Sequence, residues 1–116
     1  MSKCPESVQL GCYTYKIKFI SQDGLKEKME SKSDATYFGA LLNDYQLIFI
    51  NEDATKQMQR LSLLHELTHA IVMQNNLIRV ASDDGTNDEE TIDKIAQCYY
   101  EIMKRNPQVL KWLTED

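Results

Sequence analysis

The chain has 116 residues, a hydrophobic content of 42% and a formal net charge of −5 at pH 7. This length predicts one globular domain with a modest core, spanning residues 1–116. The acidic balance argues against nonspecific nucleic-acid binding, because contacts with phosphates need clustered Lys and Arg side chains.

Targeting and redox features predict a cytoplasmic protein. The first twelve residues contain neither a basic nor an apolar leader segment, and no apolar run approaches the roughly 18 residues that span a bilayer. The three cysteines, Cys4, Cys12 and Cys98, are odd in number and lack C-x-x-C spacing, which is typical of free thiols in a reducing compartment. We therefore expect an unexported protein that does not bind membranes.

The first half of the chain predicts strands. Residues 13–21 alternate between faces and are rich in aromatic and β-branched side chains, which indicates a strand. Residues 22–34 are polar and lysine-rich, so we expect a loop with at most one helical turn. Residues 36–42 and 46–50 flank a turn-prone spacer and predict an antiparallel hairpin. The expected sheet is small, antiparallel and three-stranded.

The second half predicts helices, which makes the fold class α+β. With Asp53 as N-cap, apolar residues follow helical spacing to about Asn75, and they lie nearly all round this helix, so we expect it to be buried in the centre of the fold. Residues 88–106 predict a second helix, and Pro107 then starts a short terminal helix through Trp112. The stripe of the second helix that we expect to face the protein consists of Ile92, Ile95, Ala96, Tyr99, Ile102 and Met103.

An H-E-x-x-H motif, formed by His65, Glu66 and His69, lies within the first of these helices. Residues four apart on a helix are neighbours, about 5–6 Å apart at Cβ, so both imidazoles can bind one zinc ion (Zn²⁺). Glu66 lies about 100° around the helix, beside the metal, where its carboxylate can take a proton from metal-bound water. The alternative is a pair of buried core histidines that are hydrogen-bonded to backbone or carboxylate groups.

A catalytic zinc needs a third protein ligand, and the chain has no third histidine. In the second helix, Glu89 lies at the margin of the apolar stripe, whereas Glu90 lies on the polar face, so we predict Glu89 as the ligand. Asp93, four residues on, is predicted to accept the outer N–H of a liganding histidine. Two alternatives stay open: Glu90 is the ligand, or Thr86-x-x-Glu89 is a capping box.

Several tyrosines are candidates for stabilising an oxyanion. Tyr100 lies roughly 16 Å along the helix from Glu89, too far to reach the same metal, so we expect Tyr99 and Tyr100 to serve in packing. The candidates in the predicted sheet are Tyr13, Tyr15, Tyr37 and Tyr45, and the sequence does not choose among them.

The motif His65-Glu66-Leu67-Thr68-His69-Ala70, followed by Glu89-x-x-x-Asp93-x-x-Ala96, resembles the small zincin domains of ImmA/IrrE-type metallopeptidases, particularly their short phage-encoded relatives. The preceding stretch NDYQLIFINED is also similar, and the resemblance covers roughly residues 36–105. It implies a zincin-like fold, in which a small antiparallel sheet precedes the buried motif helix and a second helix supplies the third ligand. The family more often has an Ala-Asn pair and then Phe-Ala where this chain has IDKIA.

Two functional hypotheses follow. The first is a zinc-dependent metallopeptidase in which zinc polarises the scissile carbonyl, Glu66 activates water, and an edge strand pairs with an extended protein substrate. The second is a catalytically inactive zinc-binding module that regulates or binds a partner protein. Glu66 favours the enzyme, because a purely structural zinc needs no base. The small size and the lack of an obvious oxyanion donor favour the module. A third hypothesis is an inert globular domain without either function.

Overall fold

The computed structural model describes residues 3–30, 35–77 and 88–115. Within these ranges the chain forms four strands and four α-helices, an α+β arrangement that is compatible with a zincin-like fold. In chain order the elements are β1 (Ser7–Leu10), β2 (Tyr13–Ile20), α1 (Gln22–Lys28), β3 (Gly39–Leu42), β4 (Leu47–Asn51), α2 (Lys56–Gln74), α3 (Asp88–Arg105) and α4 (Pro107–Thr114).

The four strands form one mixed sheet in the order β1-β2-β4-β3. The predicted hairpin is confirmed as the antiparallel pair β3 and β4, although β3 begins only at Gly39. The prediction of a wholly antiparallel, three-stranded sheet is wrong. Strand β1 was not predicted and pairs antiparallel with β2, whereas β2 pairs parallel with β4. The parallel pairing arises because the chain passes through α1 and β3 between these two strands, which a hairpin connection would not allow.

The two edges of this sheet have different surroundings. At the β1 edge, the backbone N–H of Gln9 donates to Asn106 Oδ1 at 2.8 Å, and Asn106 Nδ2 donates to the Gln9 carbonyl at 2.9 Å. The guanidinium of Arg105 donates to the Gly11 carbonyl at 2.8 Å. Because an open strand edge can pair with other chains, these contacts protect β1. Strand β3 forms the other edge and borders a cleft.

Residues predicted as a loop form helix α1 instead. The Ser21 side chain caps this helix by accepting from the Gly24 N–H at 3.1 Å. The helix buries Leu25 against Ala40 and Phe49. Local polarity therefore misled the prediction, since one buried side chain and the hydrogen bonds of Gln22 hold a helix whose other residues are mostly polar.

Helix α2 carries the H-E-x-x-H motif, and its predicted extent is confirmed. Its N-cap is Thr55, whose hydroxyl accepts from the Met58 N–H at 3.2 Å, and not Asp53. Asp53 instead accepts from the Gln22 N–H at 3.3 Å. The expectation of burial nearly all round is also wrong, because one side of α2 lines the cleft. The buried side comprises Ser62, Leu63, Glu66, Leu67, Ala70 and Ile71.

Helices α3 and α4 have the predicted extents, and Pro107 occupies the first turn of α4. The predicted stripe of α3 is partly wrong, because Ala96 is exposed and Ile92 and Met103 are 57% and 41% exposed. The helix packs against β1, α2 and α4 together, and this selects a rotated face centred on Ile95, Cys98, Tyr99 and Ile102. In the described part of the chain, no helix has both the length and the apolar character needed to cross a bilayer.

Candidate metal centre

His65 and His69 lie on successive turns of α2 and direct their rings at one point. Their Nε2 atoms are 3.1 Å apart, and the ring planes meet at 77°. Two nitrogens that bind one ion tetrahedrally at about 2.0–2.1 Å lie about 3.3 Å apart, so the pair fits a zinc ion. Both side chains are exposed to the cleft, which makes the alternative of buried core histidines wrong.

Glu66 lies next to this pair but points into the protein, and only 6% of its surface is exposed. It lies against Gly39 of β3, where a Cβ would be 3.4 Å from Glu66 Oε2, at the short end of ordinary van der Waals contact. Burial raises the pKa of the Glu66 carboxyl, and the charges of His65 and His69 partly offset this increase. The site therefore contains a shielded carboxyl beside two potential metal ligands.

A cleft of about 740 Å³ opens over these three residues. Strand β3 and helix α2 line it, together with the end of α1 and residues 36–38. This volume lies within the range of about 300–1,000 Å³ that is typical of ligand sites. Four apolar side chains of the cleft are 37–51% exposed, namely Met29, Phe38, Leu61 and Met73. Exposed apolar surface of this kind marks binding sites more often than ordinary protein surface.

Comparison with known families identifies the domain. A family model described as the IrrE N-terminal-like domain, Peptidase_M78, matches residues 9–99. The chain belongs to this peptidase family. The match spans the cleft, helix α2 and the first two-thirds of α3, which confirms the resemblance seen in the sequence. No curated protein and no solved structure matches the chain.

The third metal ligand of this IrrE-like domain stays a prediction. Glu89, Glu90 and Asp93 are all exposed on α3. Among residues 3–30, 35–77 and 88–115, no third His, Cys, Asp or Glu joins the histidine pair in a group that could hold a metal. Thr86, the partner in the alternative capping box, lies outside the described residues. The cysteines do not take this role, since Cys4, Cys12 and Cys98 are free thiols outside the cleft lining.

A buried amide network, which was not predicted from the sequence, shapes one wall of the cleft. Asn51, at the end of β4, is 2% exposed. Its Nδ2 donates to the Tyr37 carbonyl at 2.7 Å and to Gln22 Oε1 at 2.9 Å. Gln22 Oε1 also accepts from the Tyr37 N–H at 3.1 Å. These bonds hold the irregular segment that leads into β3. The only signal in the sequence was a polar residue directly after an apolar run, which is also typical of a turn.

Of the four tyrosines considered for oxyanion stabilisation, Tyr37 lines the cleft. Tyr15 is buried elsewhere, where its hydroxyl donates to Asn43 Oδ1 at 2.7 Å and accepts from Gln74 Nε2 at 2.6 Å. Tyr13 and Tyr45 are 46% and 76% exposed and do not line the cleft. The structure thus retains Tyr37 as a candidate.

Tyr99 connects α3 to the motif helix. Its hydroxyl donates to the Leu64 carbonyl at 3.0 Å and contacts the Thr68 hydroxyl, which itself donates to the same carbonyl at 2.8 Å. Leu64 directly precedes His65, so these bonds hold the helical turn from which the histidine extends. Tyr99 therefore serves in packing, as predicted, and also positions the motif.

Proposed function

We propose that this chain is a cytoplasmic, zinc-dependent metalloendopeptidase that hydrolyses peptide bonds of a protein or peptide substrate, with regulatory proteins among its candidate targets. The observation that carries the proposal is the buried Glu66 carboxylate beside the converging His65 and His69 nitrogens in an open cleft. Family membership supports peptidase activity, and the family is usually zinc-dependent. The free cysteines fit a reducing compartment.

His65 and His69 would hold the zinc through their Nε2 atoms. We assign Glu89 as the third ligand and Asp93 as the acceptor for the outer N–H of a liganding histidine. When bound, zinc supplies Lewis acidity towards the scissile carbonyl and a water molecule. Glu89 lies in the first turn of α3, and like Glu90 it is exposed. Its assignment as the ligand keeps the prediction made from the sequence.

Glu66 acts as the general base and then as the general acid. Its carboxylate accepts a proton from the attacking water and passes this proton to the nitrogen of the leaving amine. Burial raises the pKa of this carboxyl and shields it from bulk water beside the histidine pair. This carboxylate lies against Gly39 of β3.

Strand β3 would bind the substrate backbone. It is the sheet edge that borders the cleft, and it pairs with β4 on its other side. An extended peptide can add to such an edge through main-chain hydrogen bonds, which place the scissile bond without regard to side chains. The opposite edge does not offer this possibility, because Asn106 covers Gln9 of β1.

Replacing Glu66 with Gln tests this function, because the amide keeps the size of the side chain and abolishes the base. We expect Glu66→Gln to retain zinc and fold while losing at least about a hundredfold of its cleavage rate on a mixture of unfolded cytosolic proteins. Glu52→Gln, at an exposed position outside the cleft, is the matched control and should cleave like wild type.

Two results would contradict the proposal. If wild type holds zinc tightly but cleaves nothing in a broad substrate screen, the chain is a zinc-binding interaction module. If Glu66→Gln cleaves as fast as wild type, another group is the base or the activity belongs to a contaminating protease.

A further inference from the structure

Strand β3 divides the cleft into two chemically different sides. Its residues Gly39 and Leu41 pair with Ile50 and Ile48, whose side chains pack in the core that contains α2. Ala40 pairs with Phe49, and both pack with Leu25 of α1. Because successive side chains of a strand point to opposite faces, a segment that adds to β3 presents alternate side chains to α2 and to the α1 end.

The α2 side of the cleft is apolar on both flanks of the histidine pair. Leu61 lies one turn before His65, and Met73 lies one turn after His69. They are 51% and 49% exposed and line the cleft. Covering exposed Leu and Met side chains with an apolar ligand lowers the free energy of the complex. Met also adapts its shape to different partners. This side therefore favours bulky apolar side chains.

The α1 side of the cleft carries a positive charge. Lys28 lines the cleft, and its Nζ lies 5.8 Å from the centre of the Phe49 ring. Among the cleft-lining residues that the structure describes, Lys28 is the only Lys or Arg, and Glu66 is the only Asp or Glu. In a chain with a net charge of −5, this position is one where a ligand carboxylate meets attraction rather than repulsion.

We propose, on the basis of the proposed peptidase function, that the cleft selects an extended segment of a partner protein with alternating side chains. Bulky apolar side chains occupy the positions that face α2, and a carboxylate occupies a position that faces Lys28. Leu61 and Met73 are twelve residues apart, about 18 Å along the helix. An extended chain advances about 3.3 Å per residue, so five or six residues span this distance.

Synthetic ten-residue peptides test this inference. Three capped peptides alternate Leu with Glu, Leu with Lys, and Ser with Glu, and their affinity is measured on the purified Glu66→Gln protein loaded with zinc. We expect the Leu/Glu peptide to bind about 1.5-fold to fivefold more tightly than Leu/Lys, the range of one exposed ion pair. It should bind at least about tenfold more tightly than Ser/Glu, because these two peptides differ in the apolar groups that they can bury in the cleft.

Two matched pairs of variants locate the effect. Adding Lys28→Glu should reverse the preference between Leu/Glu and Leu/Lys, whereas Lys26→Glu, also in α1 but outside the cleft lining, should leave it unchanged. Leu61→Ser should weaken binding of both Leu peptides. Ile92→Ser, which replaces an exposed apolar residue of α3, should not.

The outcomes separate this inference from the function on which it rests. Selective binding to Glu66→Gln without cleavage by wild type would refute the peptidase and retain the side-chain preference. Cleavage that is indifferent to the three peptides, or to Lys28→Glu, would overturn the preference and retain the peptidase. A dimer in sedimentation that Leu61→Ser dissociates would assign the cleft to a second copy of the chain and would also overturn the inference.

Discussion

Gly39 of β3 and Glu66 of α2 lie against each other in the lining of the cleft. A Cβ on residue 39 would lie 3.4 Å from both Cγ and Oε2 of Glu66, and 3.0 Å from the carbonyl oxygen of Phe49. The last distance is shorter than ordinary carbon contacts, and the atom belongs to the backbone of the neighbouring strand. Strand β3 or the neighbouring strand β4 must therefore shift by a few tenths of an ångström when residue 39 gains a side chain.

We predict that Gly39→Ala lowers the free energy of unfolding by about 1–3 kcal/mol, the usual range for overpacking, and slows peptide cleavage by shifting β3, the edge strand that borders the cleft. Gly24→Ala is the control, because its Cβ would meet the Ser21 hydroxyl at 3.3 Å rather than backbone, and Ala favours the helix. Thermal melts and cleavage rates report the two effects. Wild-type behaviour of Gly39→Ala in both assays would show that the close approach is unimportant.

The histidine pair predicts about one zinc per chain after dialysis into metal-free buffer, measured by elemental analysis. Since zinc binds only the folded site, a chelator should lower the melting temperature of wild type, and it should have little effect on His69→Ala. Less than a tenth of an equivalent, with no uptake of added zinc, would refute the metal site.

The adjacent glutamates of α3 give a separate test of the third ligand. If Glu89 binds the zinc, Glu89→Ala should weaken zinc affinity by at least about ten- to a hundredfold. Loss of a residue that only hydrogen-bonds to a metal ligand already weakens metal affinity by this much. Glu90→Ala should change the affinity little. The reverse order would assign the ligand to Glu90, and two small effects would leave Glu89 as a helix-capping residue.

The hydroxyl of Tyr99 should stabilise the fold in a pH-dependent way. Tyr99→Phe removes the bond to the Leu64 carbonyl, and we expect a loss of about 0.5–1.5 kcal/mol at neutral pH. Burial raises the pKa of Tyr99, while the hydrogen bond with Thr68 lowers it by less. The folded protein thus favours the neutral phenol. The contribution of Tyr99 to the free energy of unfolding is complete below the pKa of about 10 that a tyrosine has in the unfolded chain.

Above pH 10 the unfolded state ionises first, so the advantage of wild type over Tyr99→Phe should shrink as the pH rises through the folded pKa of Tyr99. Urea unfolding at pH 7, 9 and 10.5 measures this difference. Tyr100→Phe is the matched control, because its ring is 66% exposed. A difference that does not vary with pH would contradict the assigned environment of Tyr99.

Local signals in the sequence predicted the elements whose shape depends on local interactions. The periodicity of α2 and the proline at the start of α4 determine those helices before any packing forms. The turn after β3 is similar, because residues 43–45 form a short 3-10 turn that ends with Gln46 in a left-handed conformation. The H-E-x-x-H spacing placed His65 and His69 together for the same reason, since one helix holds both residues.

Features that depend on distant parts of the chain were missed. Strand β1 has only four residues, and it is a strand because β2 and the end of α3 bind its two sides. Only tertiary contacts set the rotation of α3, so Ile92 was wrongly expected to be buried. The amide of Asn51 illustrates the same limit, because its partners Gln22 and Tyr37 are 29 and 14 residues away.

The contact that closes the β1 edge also has a consequence for the order of folding. Gln9 and Asn106 are 97 residues apart, so at about 5–20 residues per second a ribosome needs about 5–20 s to make the second after the first. During that interval the nascent hairpin of β1 and β2 has an uncovered edge, which is a hazard for aggregation. Truncating the chain so that it ends before Arg105 should therefore reduce the soluble yield in cells more than the loss of a surface helix would.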